Sequence, residues 1–211
     1  MSLICSQLHQ FFNQLPRFVF PYNSQKIPQD GFYVLFERGE KSHGMDRIVH
    51  VGSHRGDNRL VLRLNEHFIN ENKDRSIFRK NIGRALLNKN RDPFLEQWEI
   101  DLTTRKSRER YAWQVDLHRQ AEIESEVTSV IRSNFSFCVV PIGRRENRKH
   151  YVAGLIAAVA QCHQCRPSKS WLGRYSTKQK IRERGLWNVQ YLYREPLRYV
   201  DFERLKQWVQ V

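Results

Sequence analysis

No run of apolar residues in this chain approaches the roughly 20 in succession that a bilayer-spanning helix needs. The first twenty positions mix Leu and Phe with Gln, His and Asn, with no basic stretch ahead of an apolar one, so they do not read as a signal peptide. Cysteine is scarce. Cys5, Cys138, Cys162 and Cys165, without a secretion signal, are expected to be free thiols in a reducing compartment, with the cytoplasm as the expected location. Repeats and low-complexity tracts are absent. Acid is also in short supply: 22 Asp and Glu stand against 36 Lys and Arg, a net charge of +14 in 211 residues. That excess points to a phosphate backbone, which attracts Lys and Arg by releasing condensed counterions. A ribosome-type or merely soluble basic protein, or a binder of anionic membrane surfaces, is the competing reading of the charge.

What is present is ample for a core. Hydrophobic residues make up 40% and aromatics 12%, which excludes a disordered chain and suits one embellished domain. The spacing predicts an α+β fold, with a small three-stranded antiparallel sheet flanked by helices. Residues 1–27 read as an aromatic-rich N-terminal arm punctuated by Pro16 and Pro21. Gly31 to Glu37 reads as a strand, followed by a polar loop over 38–46 and a second strand over 47–52. A helix capped by Asp57 or Asn58 carries Leu60, Leu64 and Phe68 on one face and Arg59, Arg63 and His67 on the next. A second helix begins at Ser76, with Arg79 and Lys80 expected on its outer side. Residues 89–134 read as an insertion in which Trp98, Ile100 and Leu102 alternate like a strand and a helix ends near Asn134. A third strand spans 135–142, and an apolar helix runs from about 149 to 161. Residues 174–211 form a basic, aromatic C-terminal extension.

The triplet Gly31-Phe32-Tyr33 on the first strand, His50-Val51-Gly52 ending the second, and Arg63 with His67 on the next helix resemble the GIY-YIG nuclease superfamily over about 28–173. The resemblance implies a DNA endonuclease, of a restriction or other defence type, that hydrolyses phosphodiesters with Mg²⁺ or Mn²⁺. Double-stranded DNA is the partner and a homodimer the expected assembly, with no membrane role. It implies Tyr33 and His50 around the attacking water, Arg63 as phosphate clamp and His67 as a proton-transfer or phosphate-contact residue. The chemistry suits those residue types. An arginine fork meets two phosphate oxygens at once. An imidazole in place of the family's second tyrosine titrates near neutrality.

The family's metal-binding glutamate, expected early in the helix after the third strand, has no counterpart in His150-Tyr151-Val152-Ala153-Gly154-Leu155-Ile156. Ala153, at the edge of the buried stripe, is the expected vacant position, with Val152 as the fallback. Three readings stay open: a substitution that disarms an enzyme, a natural non-catalytic nucleic-acid-binding protein, or a metal ligand supplied from elsewhere by Glu146 or Glu126.

Phosphate contacts are expected from Ser53, His54 and Arg55 beside the second triplet, from Arg59, Arg79 and Lys80, and from Lys169, Arg174, Lys178 and Lys180 in the basic tail. Cys162-x-x-Cys165 is half of a zinc site. With no second such pair in the chain, plain helix-end thiols are the expected reading, not structural zinc.

Overall fold

The computed structural model describes residues 2–209. Strand β2 (Gly31–Ser42) pairs with β3 (Met45–Ser53) on one side and β4 (Phe135–Pro141) on the other. A two-residue strand β1 (Phe18–Val19) completes an antiparallel sheet in the order β1-β4-β2-β3. Three strands are expected from the sequence; β1 is too short for alternation to show. The polar loop expected over 38–46 is instead continued strand closed by His43 and Gly44. Both have positive φ (53° and 77°), as a two-residue hairpin turn of type I′ demands.

The period of two decides the layers. Phe32, Val34 and Phe36 enter one core, and Tyr33 and Leu35 the other. Helices α1 (Ser2–Gln14), α7 (Arg145–Ala160) and α9 (Tyr199–Trp208) cover the first face. Helices α2 (Leu60–Phe68), α3 (Ile77–Asn90) and α6 (Leu117–Asn134) cover the second. Leu8 and Phe12 of α1 and Leu186, Leu192 and Leu205 of the tail are buried in the same core as the sheet, so both ends of the chain pack as parts of the central body.

Two local expectations are corrected. Trp98 lies in the short helix α4 (Leu95–Glu99), not in a strand. Its indole packs against α3 at Gly83, where a Cβ would fall 2.3 Å from the ring, and its Nε1 donates to the Lys80 carbonyl at 3.0 Å. The apparent alternation came from one packed helical turn followed by coil. Helix α2 is capped by neither Asp57 nor Asn58: Arg59 is the N-cap and makes no side-chain capping bond. The Leu60 amide donates instead to the Gln29 carbonyl at 3.0 Å. The remaining helices, α5 (Arg105–Tyr111) and α8 (Gln179–Arg184), are short. No described helix is long and apolar enough to cross a membrane.

Candidate active site

The hairpin register brings the two triplets together. Tyr33 lies opposite Gly52, and Leu35 opposite His50. Directly opposed residues of an antiparallel pair project to the same face, so Tyr33 and His50 share one side of the sheet. The register then slips, with Phe36 opposite Ile48, leaving Val49 as the extra residue of a bulge beside His50. Glycine at position 52 has a physical cause: a Cβ there would lie 2.3 Å from the Tyr33 hydroxyl and 2.5 Å from its ring. The phenol crosses the β3 backbone through that gap. At Gly31 a Cβ would meet the Val140 carbonyl at 2.2 Å, so glycine there permits the close approach of β4.

Behind Tyr33 lies a buried chain of polar groups. Its hydroxyl is 2.5 Å from His67 Nε2, and His67 Nδ1 is 2.7 Å from Ser76 Oγ. Ser76 caps α3 by accepting the Arg79 amide at 3.2 Å. Burial holds the Tyr33 hydroxyl above its ordinary pKa. Burial, followed by the charge of Arg63, holds His67 well below its own. The pair therefore rests as phenol and neutral imidazole. His50 is also buried and neutral, pushed down to about 3 by burial and then by Arg63. Its Nδ1 has no partner among the described residues. Arg63 is steadied by Glu66 at 2.6 Å and by the Arg75 carbonyl at 2.9 Å.

Tyr33, His50 and Arg63 line one cleft of about 590 Å³, together with Ser53, His54 and Arg55. His67 sits one layer deeper, reached through Tyr33. The opposite wall is helix α7, which presents Arg145, Lys149, Val152 and Ile156. This spacing of three and four keeps them on one helix face. Ala153 is one step of helical rotation away and lines a separate hollow with Glu146 and His150. The position on the cleft is Val152. Glu146 belongs to that second hollow, and Glu126 is exposed on α6. No described residue lining the cleft is a carboxylate. A divalent cation here would face an isopropyl group and the ammonium of Lys149, so these residues do not fit the family's metal. The wall suits an anion.

Two lining positions escaped the sequence reading: Arg145, because α7 starts there, four residues before the helix expected from about 149, and Lys149, the first residue of that expected helix, because its face toward the cleft is set by the fold. A third, Asn188, carries no motif. It seals the free edge of β3: its Nδ2 donates to the Val51 carbonyl at 2.9 Å, and its Oδ1 accepts the Val51 amide at 3.0 Å. Trp187 donates its amide to the Val49 carbonyl at 2.8 Å beside it.

The expected phosphate contacts divide. Arg55 and Arg59 are exposed, and both line a second groove that continues from the cleft past Arg63 and Arg75, with Glu66 and Asp74 also on its walls. Lys169, Arg174, Lys178 and Lys180 are exposed on the tail; Arg174 is tied to the Ser168 carbonyl at 2.6 Å. Of these four, Lys180 lines a hollow that shares Val189, Gln190 and Tyr191 with the cleft. His54 is buried and its Nε2 accepts the Gly31 amide at 3.2 Å; its Nδ1 has no partner among the described residues.

Arg79 and Lys80 are not surface residues. Arg79 is fully buried and forks onto Glu124 with bonds of 3.0 and 2.6 Å, adding Thr128 at 2.8 Å. Lys80 meets Asp74 at 3.2 Å and the Glu99 carbonyl at 3.0 Å. Helices α4 and α6 cover the α3 face that the sequence placed in solvent.

A family model described as a GIY-YIG domain matches residues 5–210. No curated protein and no solved structure matches the chain.

Proposed function

Since this chain belongs to the GIY-YIG domain family, whose members are usually nucleases using a divalent metal, we propose that its cleft seats a DNA phosphodiester for hydrolysis, with side-chain cations in place of a bound metal. The observation that carries this reading is the lining itself: Arg55, Arg63, Arg145 and Lys149 surround Tyr33 and His50, with no carboxylate among the described lining residues. Arg63 meets the phosphate oxygens, and Lys149 faces them from α7 with the positive charge that the transition state requires. Tyr33 orients the attacking water. The seated phosphate adds negative charge beside two neutral histidines, raising their proton affinity toward the range where imidazole accepts a proton. The groove past Arg55 and Arg59 and the tail around Lys180 continue the track for the backbone on either side.

Val152 supports a second reading, in which the scaffold binds double-stranded DNA without cutting it. Nicking of supercoiled plasmid separates the two when run in EDTA and in Mg²⁺, alongside binding at several salt concentrations. Cleavage that survives EDTA and disappears in Arg63→Ala is the expected result. DNA bound tightly but left intact in both buffers favours the second reading, and intact DNA with no affinity even at low salt sinks both. Val152→Glu, which puts a carboxylate on the cleft wall, is expected to bring Mg²⁺ dependence; Ala153→Glu, aimed at the other hollow, is not.

A further inference from the structure

Four metal-ligating side chains from three distant parts of the chain meet on the side of the sheet covered by α1 and α7. Cys5 comes from α1, His43 from the β2-β3 turn and Cys165 from the turn that follows α7; with His9 of α1 their ligand atoms lie within 4.8 Å of one another, and Cys162 of the same turn joins them through His43. Cys5 Sγ is 3.3 Å from Cys165 Sγ. His43 Nε2 is 3.5 Å from Cys165 Sγ and 3.6 Å from Cys162 Sγ. All three cysteines are buried and unpaired by disulfide. Tetrahedral zinc, with bonds of about 2.3 Å to sulfur and about 2.0 Å to nitrogen, separates two sulfurs by about 3.8 Å and a sulfur from a nitrogen by about 3.5 Å. The imidazole distances match that geometry, and the Cys5–Cys165 sulfur pair is somewhat tighter.

We propose that the protein holds a structural zinc ion through Cys5, His43, Cys162 and Cys165. The two-residue spacer of Cys162-x-x-Cys165 forms the usual knuckle, with the Cys165 amide donating to the Cys162 carbonyl at 3.3 Å. His43 is aimed by its turn: it holds a left-handed φ of 53°, a conformation uncommon outside glycine. The Ser42 hydroxyl is 3.2 Å from Cys165 Sγ, within reach to donate to a coordinating thiolate.

His9 lies among these groups but is already engaged. Its Nε2 accepts the Ile48 amide at 3.1 Å, and its Nδ1 bonds the Cys5 carbonyl at 2.9 Å. Ligation through Nε2 would orphan a buried backbone amide, so His9 is a supporting neighbour. Three sulfurs and one imidazole complete the tetrahedron without a position for water, which marks a structural site, not a catalytic one. The ion fastens α1 and the hairpin tip to the far end of α7, whose other end forms the cleft wall. None of this depends on what the cleft does.

The test uses the full chain from zinc-replete expression. Elemental analysis is expected to give about one zinc per chain. Exchange for Co²⁺ should give the visible bands of a tetrahedral site and the near-ultraviolet charge transfer of thiolate ligands. His43→Ala and Cys162→Ser should lose most of the metal, and Cys138→Ser should keep it. Should Cys162→Ser not fold, the unaltered chain still decides, because a strong chelator should lower its melting temperature. A metal-free chain with chelator-insensitive melting would overturn the proposal, as would a zinc-free Cys5–Cys165 disulfide in the purified protein.

Discussion

The hydroxyl of Tyr33 and Nε2 of His67 lie 2.5 Å apart with no solvent around the histidine. Arg63 also approaches the Tyr33 hydroxyl, whereas His67 Nε2 has no other side-chain partner among the described residues, so the histidine relies on the phenol to satisfy a buried nitrogen. His67→Ala removes one hydrogen-bond partner from both Tyr33 and Ser76 and opens a void; urea unfolding should show a loss of about 2–4 kcal/mol. His67→Gln, which keeps a polar group in reach, should recover part of it. Equal losses in the two variants would mean that packing alone holds the histidine.

Gly52→Ala pushes a methyl group into the Tyr33 ring. The expected cost is about 1–3 kcal/mol from overpacking. A cycle with Tyr33→Leu, which removes the obstructing ring, should show strong non-additivity in thermal or urea melts. Simple additivity would place the glycine requirement elsewhere than in this contact.

Acid should weaken the fold through His50 and His67. The folded pKa of His50 is pushed down to about 3 from an ordinary 6.5, and His67 is lowered as well. The unfolded chain therefore takes up protons first as pH falls. Their contribution is fully present above about 6.5 and is lost as pH falls toward about 3, with a ceiling for His50 of roughly 4–5 kcal/mol. Stability measured against pH should decline across that window, and His50→Asn should flatten the decline.

Glu37 acts in the opposite sense. Its carboxylate accepts from the indoles of Trp171 at 2.8 Å and Trp187 at 3.0 Å, yet burial pushes its pKa up to about 6. A carboxyl group raised in the folded state favours folding at low pH, and that contribution is lost as pH rises through about 6. Glu37→Gln keeps an acceptor without the charge, so it should stabilise the protein near pH 8 by at most about 2 kcal/mol, less because the residue is partly exposed. No gain at pH 8 would show that the two indole bonds already offset the burial of the charge.

The cations should sort by position. Lys149→Ala and Arg55→Ala should each lower the slope of log binding constant against log salt by about one unit and leave melting nearly unchanged. Arg79→Ala should cost about 3–5 kcal/mol by abandoning buried Glu124, with the salt slope of the folded protein untouched. A reduced slope in the Arg79 variant would return that residue to the nucleic-acid surface.

The strands that carry Tyr33 and His50 were legible because alternation and glycine placement are local signals. Their meeting followed from antiparallel pairing. The acid-free wall was legible as an absence, but its phase was not. A residue on an apolar stripe looks like core from sequence, and Val152 is both: it is buried in the core and lines the cleft. Arg79 and Lys80 were misplaced because the helices that bury them come from 89–134: α4 is too short to show a period, and nothing local in α6 says that it packs against α3. Cys5 and His43 could not be joined to Cys162 and Cys165 by spacing at all, since only the folded sheet brings their segments together.

Asn188 gives the strand edge beside the cleft a partner that is a side chain instead of a neighbouring strand. This makes the hairpin a poor candidate for transplantation alone. A graft of β2 and β3 without the 186–191 loop would carry an unsatisfied backbone ladder next to its working residues, and such edges recruit copies of themselves. Anyone trimming this protein to the hairpin alone should expect the cut piece to self-associate.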